Sequence, residues 1–363
     1  MFTAILFIIV LVTLIISHEF GHFIAAKLFG VQVDEFGLGF PPKIFGKQYG
    51  ETFYSLNWLP LGGFVRILGE EGENSEVGPP TTFGGPTSEF STRSFSTQQT
   101  YKKIIILAAG VIGNILLALL LLFVSLQTGL LLPVEGTINP EYLRNRQIII
   151  DYVANDSPAS RAGLSSGDTV LGSVDISDLV AKSVGKPIIL NIKHAGKSAP
   201  ELVTVTPQSE DGKTYKIGIA FAIMGEAYLP PMSAIRESGL MTVRLAQETI
   251  TGLYYFATGI FAKESTVGQV SGPVGIFKMV GMASGIGFSY ILAFMALLSI
   301  NLAVLNILPI PALDGGRILF IIIEKIKGSP IKPEFTQKVH SAGFAILIIL
   351  MAIVTVHDIV KLF

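Results

Sequence analysis

Residues 2 to 30 form an apolar stretch long enough to cross a bilayer. Hydrocarbon offers no partner for backbone N–H and C=O groups, so such a stretch has to be helical. Three more runs of similar character follow, at about Ile104–Leu126, Tyr290–Leu308 and Ala342–Val356, the last short but flanked by usable apolar residues. Composition agrees with spanning. Hydrophobic residues make up 50% of the 363, charged residues 15%, and the mean hydropathy is +0.59, whereas a soluble domain carries about 25% charge.

Within the first run stands His18-Glu19-Phe20-Gly21-His22. Ionisable groups at membrane depth are costly and therefore point to function. Helical i, i+4 spacing puts His18 and His22 on one face, where neutral imidazoles can bind one zinc ion, with Glu19 beside them as a base. Two blander readings compete: chance occurrence of a five-residue pattern, and a cleaved secretory signal. The signal reading lacks a positive leading region, since no Lys or Arg precedes Lys27. The chain reads as an intramembrane zinc hydrolase.

Net charge is −1, which argues against a nucleic-acid partner. Cysteine is absent, so a metal must be held by His, Asp or Glu. A pair of histidines needs a third ligand from another span. Asp314 is the first candidate, in Asn306-Ile307-Leu308-Pro309-Ile310-Pro311-Ala312-Leu313-Asp314-Gly315-Gly316, where prolines break an apolar helix and the two glycines are expected to turn the backbone after the carboxylate. An aspartate in an ordinary turn at the end of the third span is the alternative. His340 and His357 are rivals without a breaker motif around them.

Lys27, Lys102 and Lys103 border the first loop, and Arg317, Lys325, Lys327, Lys332 and Lys338 fill the last. By the positive-inside rule both loops are cytoplasmic, and the metal site lies toward that leaflet. In the first loop, Thr52–Leu56 and Gly63–Ile67 are β-prone runs expected to pair as a hairpin across an apolar tip, Asn57–Gly62. Such an element can pair with an unwound substrate or simply pack on the first span. Glu70–Gln99, rich in Gly, Pro, Ser, Thr and Glu, reads as a loop rather than a domain.

Between the second and third spans the texture changes. Short β-branched runs (Ile148–Val153, Ile188–Ile192, Val203–Thr206) alternate with turns, and Ser157–Leu164 leads into Gly167-Asp168. This stretch resembles a single PDZ domain. Met232–Ala262 reads as amphipathic helices that lie on the membrane surface or, the safer reading, pack on the rest of the protein, and His194, among Lys193, Gly196 and Lys197, reads as a solvated loop histidine. The expected division is 1–126 (two spans, metal motif and cytoplasmic loop), 127–230 (PDZ-like), 231–284 (membrane surface) and 285–363 (two spans and the third ligand).

Together, HEFGH at 18–22, NILPIPALDGG at 306–316, GVIGN at 110–114 and the PDZ-like segment resemble the bacterial RseP-type site-2 protease family over nearly the whole chain, with Ser271–Gly275 similar to that family's SGPxG element. The resemblance implies a polytopic α-helical membrane protein with four transmembrane helices, a membrane-associated β element and one extracytoplasmic PDZ domain. It implies zinc (Zn2+) held by His18, His22 and Asp314, Glu19 as catalytic acid and base, Asn306 as a substrate or transition-state contact, and Asn114 as a similar contact or a nearby polar brace. Zinc at +2 with Asp314 and ionised Glu19 would bring the local formal charge to zero. Implied partners are the lipid bilayer and single-span substrates such as anti-sigma factors or remnant signal peptides, after a first cut by a site-1 protease. The implied location is the bacterial plasma (inner) membrane. The PDZ domain is expected either to bind a peptide or, by bulk, to exclude uncut substrates. A zinc-free membrane scaffold and a transporter are the other classes; the first leaves an intact metal motif without use, and no inverted repeat of hydropathy supports the second.

Overall fold

The computed structural model describes residues 1–70, 92–134, 138–172, 176–194, 199–209, 214–261 and 272–360. Most of the expected loop (71–91) and Ser271 lie outside the described residues. In chain order come helix α1 (Phe2–Leu28), strands β1 (Val33–Tyr49) and β2 (Thr52–Ile67), helix α2 (Thr100–Gln127), strands β3 (Leu130–Pro133) and β4 (Leu143–Val153), and the single-turn helix α3 (Pro158–Arg161). Strand β5 (Thr169–Val170), helix α4 (Ile176–Ser183) and strands β6 (Ile188–Lys193), β7 (Glu201–Val205) and β8 (Ile219–Ala227) follow. Five helices finish the described chain: α5 (Pro231–Phe261), α6 (Pro273–Ile286), α7 (Phe288–Ile307), α8 (Asp314–Lys327) and α9 (Pro333–Val360). Among the described residues, α1, α2, α7 and α9 are long and apolar enough to cross a membrane. The chain divides into a helical unit (1–122, 239–282 and 293–363) and a sheet unit (123–238 and 283–292).

In the helical unit α1 and α2 touch backbone to backbone. A Cβ on Gly21 would overlap the carbonyl of Ala109, and one on Gly113 would overlap that of Ser17. Small residues are what close packing in a membrane requires, because lipid tails are as apolar as leucine and give no hydrophobic drive between helices. The Ser17 hydroxyl adds a hydrogen bond to the Gly113 carbonyl at 2.9 Å. Below this crossing, Ala25, Ala26, Val31, Val33, Ile67, Phe95, Ile106 and Leu107 form one buried cluster. Phe95 therefore belongs to the core, and the last residues of the expected loop are packed, with the Phe95 N–H bonded to the Leu68 carbonyl. A second cluster joins Ala118 and Leu122 of α2 to Ala296, Ile300 and Val304 of α7. Met241, Leu245 and Leu253 of α5 pack on it, and Thr249 donates to Asn301 Oδ1 at 2.7 Å. Residues 231–261 are thus one long helix with a packed face, in line with the packing role expected for this stretch. Asp358 of α9 is buried and accepts the Gly275 N–H at 2.8 Å, capping the first turn of α6; any side chain on Gly272 would crowd that carboxylate.

The β element differs from the expected hairpin. Its tight turn lies at Gly50-Glu51, while Asn57–Gly62 joins two runs that do not pair with each other, because residues 33–38 supply an unexpected strand between them. Glu35 faces both Phe53 and Arg66, Phe36 both Tyr54 and Val65, Gly37 both Ser55 and Phe64, and Leu38 both Leu56 and Gly63. A segment with partners on both sides is interior, so 33–38 separates the two runs that were expected to pair with each other. Val33, Glu35 and Gly37 turn inward in alternation. Glu35 disguised that pattern: it is a carboxylate buried to 8% exposure, satisfied by the Ser55 hydroxyl at 2.6 Å and by Arg66 at 3.3 Å. Phe40, Ile44, Phe45, Trp58 and Leu59 remain exposed, an apolar surface suited to lipid.

The sheet unit holds six strands in the order β3-β8-β4-β5-β6-β7, every pair antiparallel. Ile188, Leu190 and Ile192 alternate inward along β6 and meet Ile148, Ile150, Val170, Val203 and Val205 in the core. Pro158 opens α3 at a position where a missing N–H costs nothing, and the Ser157 hydroxyl caps the Ser160 N–H. His194 is not a solvated histidine. Its Nδ1 lies 2.9 Å from Asp168 Oδ2, and the Asp168 carboxylate is 2% exposed and also accepts the Ser165 N–H. A buried carboxylate has to recruit donors, and His194 is one of them.

Candidate metal centre

Within α1, His18 and His22 lie one turn apart, both buried, with ring centroids 4.8 Å apart and planes at 87°. Their Nε2 atoms approach to 3.3 Å. Asp314 enters from the start of α8, its Oδ2 at 3.1 Å from His18 Nε2 and 3.4 Å from His22 Nε2. The three residues are a set that could hold a metal ion among the described residues.

These edges can be tested against an ion. Tetrahedral bonds of about 2.0–2.1 Å place ligand atoms about 3.3–3.4 Å apart, which is the size of the triangle. Two neutral imidazole nitrogens and a carboxylate oxygen are all lone-pair donors, and Asp314 Oδ2 is buried without a hydrogen-bond donor; a cation resolves that convergence. Nitrogen and oxygen ligands of this kind suit zinc. Outside the triangle, His22 Nδ1 is 2.8 Å from the Ile106 carbonyl, which fixes the tautomer that leaves Nε2 free for the ion. His18 Nδ1 faces the carboxamide of Asn114 at 3.3 Å. With the amide oxygen turned to the ring, His18 Nδ1–H gains an acceptor, and the otherwise unpartnered Asn114 Oδ1 gains a donor.

A family model described as Peptidase family M50 matches residues 6–350. The chain belongs to peptidase family M50. It is 34% identical over 356 residues to a Clostridium perfringens protein provisionally named a zinc metalloprotease, covering 96% of this chain and 95% of that one. It is 30% identical to the regulator of sigma-W protease RasP of Bacillus subtilis, covering 99% of each chain. It is also 29% identical to the zinc metalloprotease RasP of Geobacillus kaustophilus, covering 98% and 97%. This M50 protein is a zinc metalloprotease and a membrane protein.

In the M50 site, glycines do different work from that expected. Gly315 and Gly316 do not turn the chain after Asp314; both are helical, in the first turn of α8. A side chain on Gly315 would overlap the carbonyls of Ile307 and Leu308, and one on Gly316 that of Ile310. The bend comes earlier, at Ala312, which holds φ +82. Gly110 of α2 lies directly against the imidazoles, so that a Cβ there would enter the space of His22 Nε2. Gly21 inside the histidine motif and the recurrence of glycine at 110 and 113 are sequence signs of close helix packing, but which of them meets the imidazoles is a matter of helix rotation.

Asn114 is fully buried, a position suited to bracing His18 rather than to touching a peptide. Asn306 is half-buried near the end of α7, and the described hydrogen bonds give it no link to the ligand residues. His340 stands apart from the triangle: its Nδ1 accepts the Ala312 N–H at 2.9 Å. His357, near the far end of α9, is likewise outside the cluster.

Proposed function

We propose that this protein is an intramembrane endopeptidase of the site-2 type, with His18, His22 and Asp314 as the zinc ligands and Glu19 as the proton carrier. The observation carrying this reading is the triangle of three lone-pair donors with zinc-sized edges, two of them on an apolar span helix. Zinc bound there supplies Lewis acidity, bringing the pKa of water toward ~7 and polarising a peptide carbonyl. Glu19 takes the proton of the attacking water and delivers it to the leaving amine nitrogen, so that one peptide bond breaks and one water is consumed. Asn114 and the Ile106 carbonyl hold the imidazoles in the orientation that zinc requires. Asn306 is proposed to contact the substrate backbone or the developing oxyanion.

A transmembrane substrate has to be unwound before its carbonyl is reachable, and the β element offers a strand for that purpose. Gly63 supports this role: a Cβ there would touch the Glu19 side chain at 3.0 Å and Ile15 at 2.7 Å, so extended backbone of β2 runs alongside the catalytic carboxylate. We read the six-stranded sheet as an extracytoplasmic PDZ domain that rejects, by bulk, substrates not yet cut by a first protease. The natural setting inferred is a bacterial plasma membrane, with the metal toward the cytoplasmic leaflet and single-span proteins such as anti-sigma factors or remnant signal peptides as substrates. The name of the Bacillus subtilis relative, a regulator of sigma-W, supports that class.

The deciding experiment compares wild type and Glu19→Gln on a tagged single-span substrate in membranes, with zinc measured on both purified proteins. Both should hold zinc, and the variant should lose at least ~100-fold in cleavage. Equal cleavage by the two proteins would remove Glu19 from the chemistry.

A further inference from the structure

The turn that delivers Asp314 is held by a contact outside the ligand set. Ala312, two residues before the ligand, sits at φ +82, in the left-handed region that a residue with a Cβ rarely occupies. Its N–H has no carbonyl partner in the turn; it donates to His340 Nδ1 of α9 at 2.9 Å. Helix α9 reaches this turn because Gly343, one turn after His340, lets the backbone of Pro311 lie directly on it; a Cβ on Gly343 would be 2.7 Å from the Pro311 side chain. The Phe320 ring of α8 lies beside the imidazole, centroids 5.3 Å apart, so two elements fix the ring. Accepting at Nδ1 requires the neutral tautomer with its proton on Nε2.

Resting on the metal-centre reading above, we propose that His340 is a positioning residue for zinc: by accepting the Ala312 N–H it locks the left-handed turn and thereby sets Asp314 Oδ2 at its distance from the two imidazoles. The turn follows two prolines and carries residues that do not by themselves favour φ > 0, so without the acceptor it relaxes and the third ligand moves. Loss of an outer partner of a ligand typically weakens metal binding about 10–100-fold, and a backbone partner two residues away belongs at the lower end.

Two substitutions separate the acceptor from the ring. His340→Phe keeps the aromatic contact with Phe320 and removes the acceptor; His340→Asn loses the ring and keeps an acceptor at the same branch point. Zinc affinity of the detergent-solubilised full chain, measured by competition with a chelator, should fall about tenfold in His340→Phe and stay within about threefold of wild type in His340→Asn. Turnover should follow zinc occupancy, with KM for a single-span substrate unchanged. Wild-type zinc affinity in His340→Phe overturns the proposal, as does equal loss in both variants, which would mean that the ring and not the acceptor matters. His18→Ala serves as the control: if it too binds zinc like wild type, the metal-centre reading fails, separately from the role of His340.

Discussion

At Gly110 the space of one methyl group separates a metal site from a blocked one. A Cβ there enters the volume around His22 Nε2 and comes 2.7 Å from His18 Cε1, and α2 cannot withdraw because Gly21 and Gly113 already hold it backbone to backbone against α1. Gly110→Ala should therefore cost at least about tenfold in zinc affinity, read by chelator competition, while circular dichroism keeps its helical signal. Asn114 tests the other side of the ring. Replacing it with Leu keeps the branched shape but strips His18 Nδ1–H of its acceptor, and zinc affinity should drop by roughly 10–100-fold. These two effects were unequally legible in the sequence. The i, i+4 histidines could be read directly, because spacing on a helix is a local pattern; the broken apolar run made the carboxylate at 314 a candidate but left an ordinary turn aspartate open. That Gly110 faces the imidazoles depends on how two helices are rotated against each other, which no local pattern encodes.

Among the elements, the turn between β1 and β2 is fastened at Glu51, whose carboxylate accepts from Lys27 at the end of α1 and from Arg93 at 2.8 Å. Partial burial pushes the Glu51 carboxyl up, but the hydrogen bonds from Lys27 and Arg93 outweigh it and hold the group below the ordinary glutamate range. A carboxyl depressed in the folded state stabilises above its unfolded pKa of ~4.3 and loses that contribution as pH falls through the lower folded value. The protection factors of the Gly50, Glu51 and Thr52 amides, each exchange rate referred to its intrinsic rate at the same pH, should accordingly fall on acidification below ~4.3, and Glu51→Gln should abolish that step. The strand at 33–38 is hidden in the sequence by a single residue. Its inward position 35 is a glutamate, which breaks an apolar alternation; only Ser55 and Arg66, brought from the paired strand, make a carboxylate acceptable there.

For the whole molecule, division into two units makes a further prediction. Ile192 is fully buried in the sheet core and distant in the chain from every proposed zinc ligand. Ile192→Ala should destabilise the sheet unit by about 2–4 kcal/mol and leave zinc content unchanged, seen as early loss of protease resistance in 123–238 alone. If the sheet acts as a filter, the wild-type enzyme should cleave a single-span substrate at least ~10-fold faster once its folded extracytoplasmic domain is removed, and an equal rate for both substrates would favour a peptide-binding role instead. The sequence by itself determined the four helices that, among the described residues, are long and apolar enough to cross a membrane, the histidine pair with its glutamate, and the β-rich character of the segment between the second and third of those helices. Each follows from a periodicity or an apolar length that is written in consecutive residues. Tertiary structure alone decided that 33–38 lies between two other strands, that Gly315 and Gly316 serve close approach and not a turn, that His194 pairs with buried Asp168, and that His340 grips the turn before Asp314. Those are contacts between residues far apart in the chain, chosen by which backbones can approach and which buried polar atoms still need a partner.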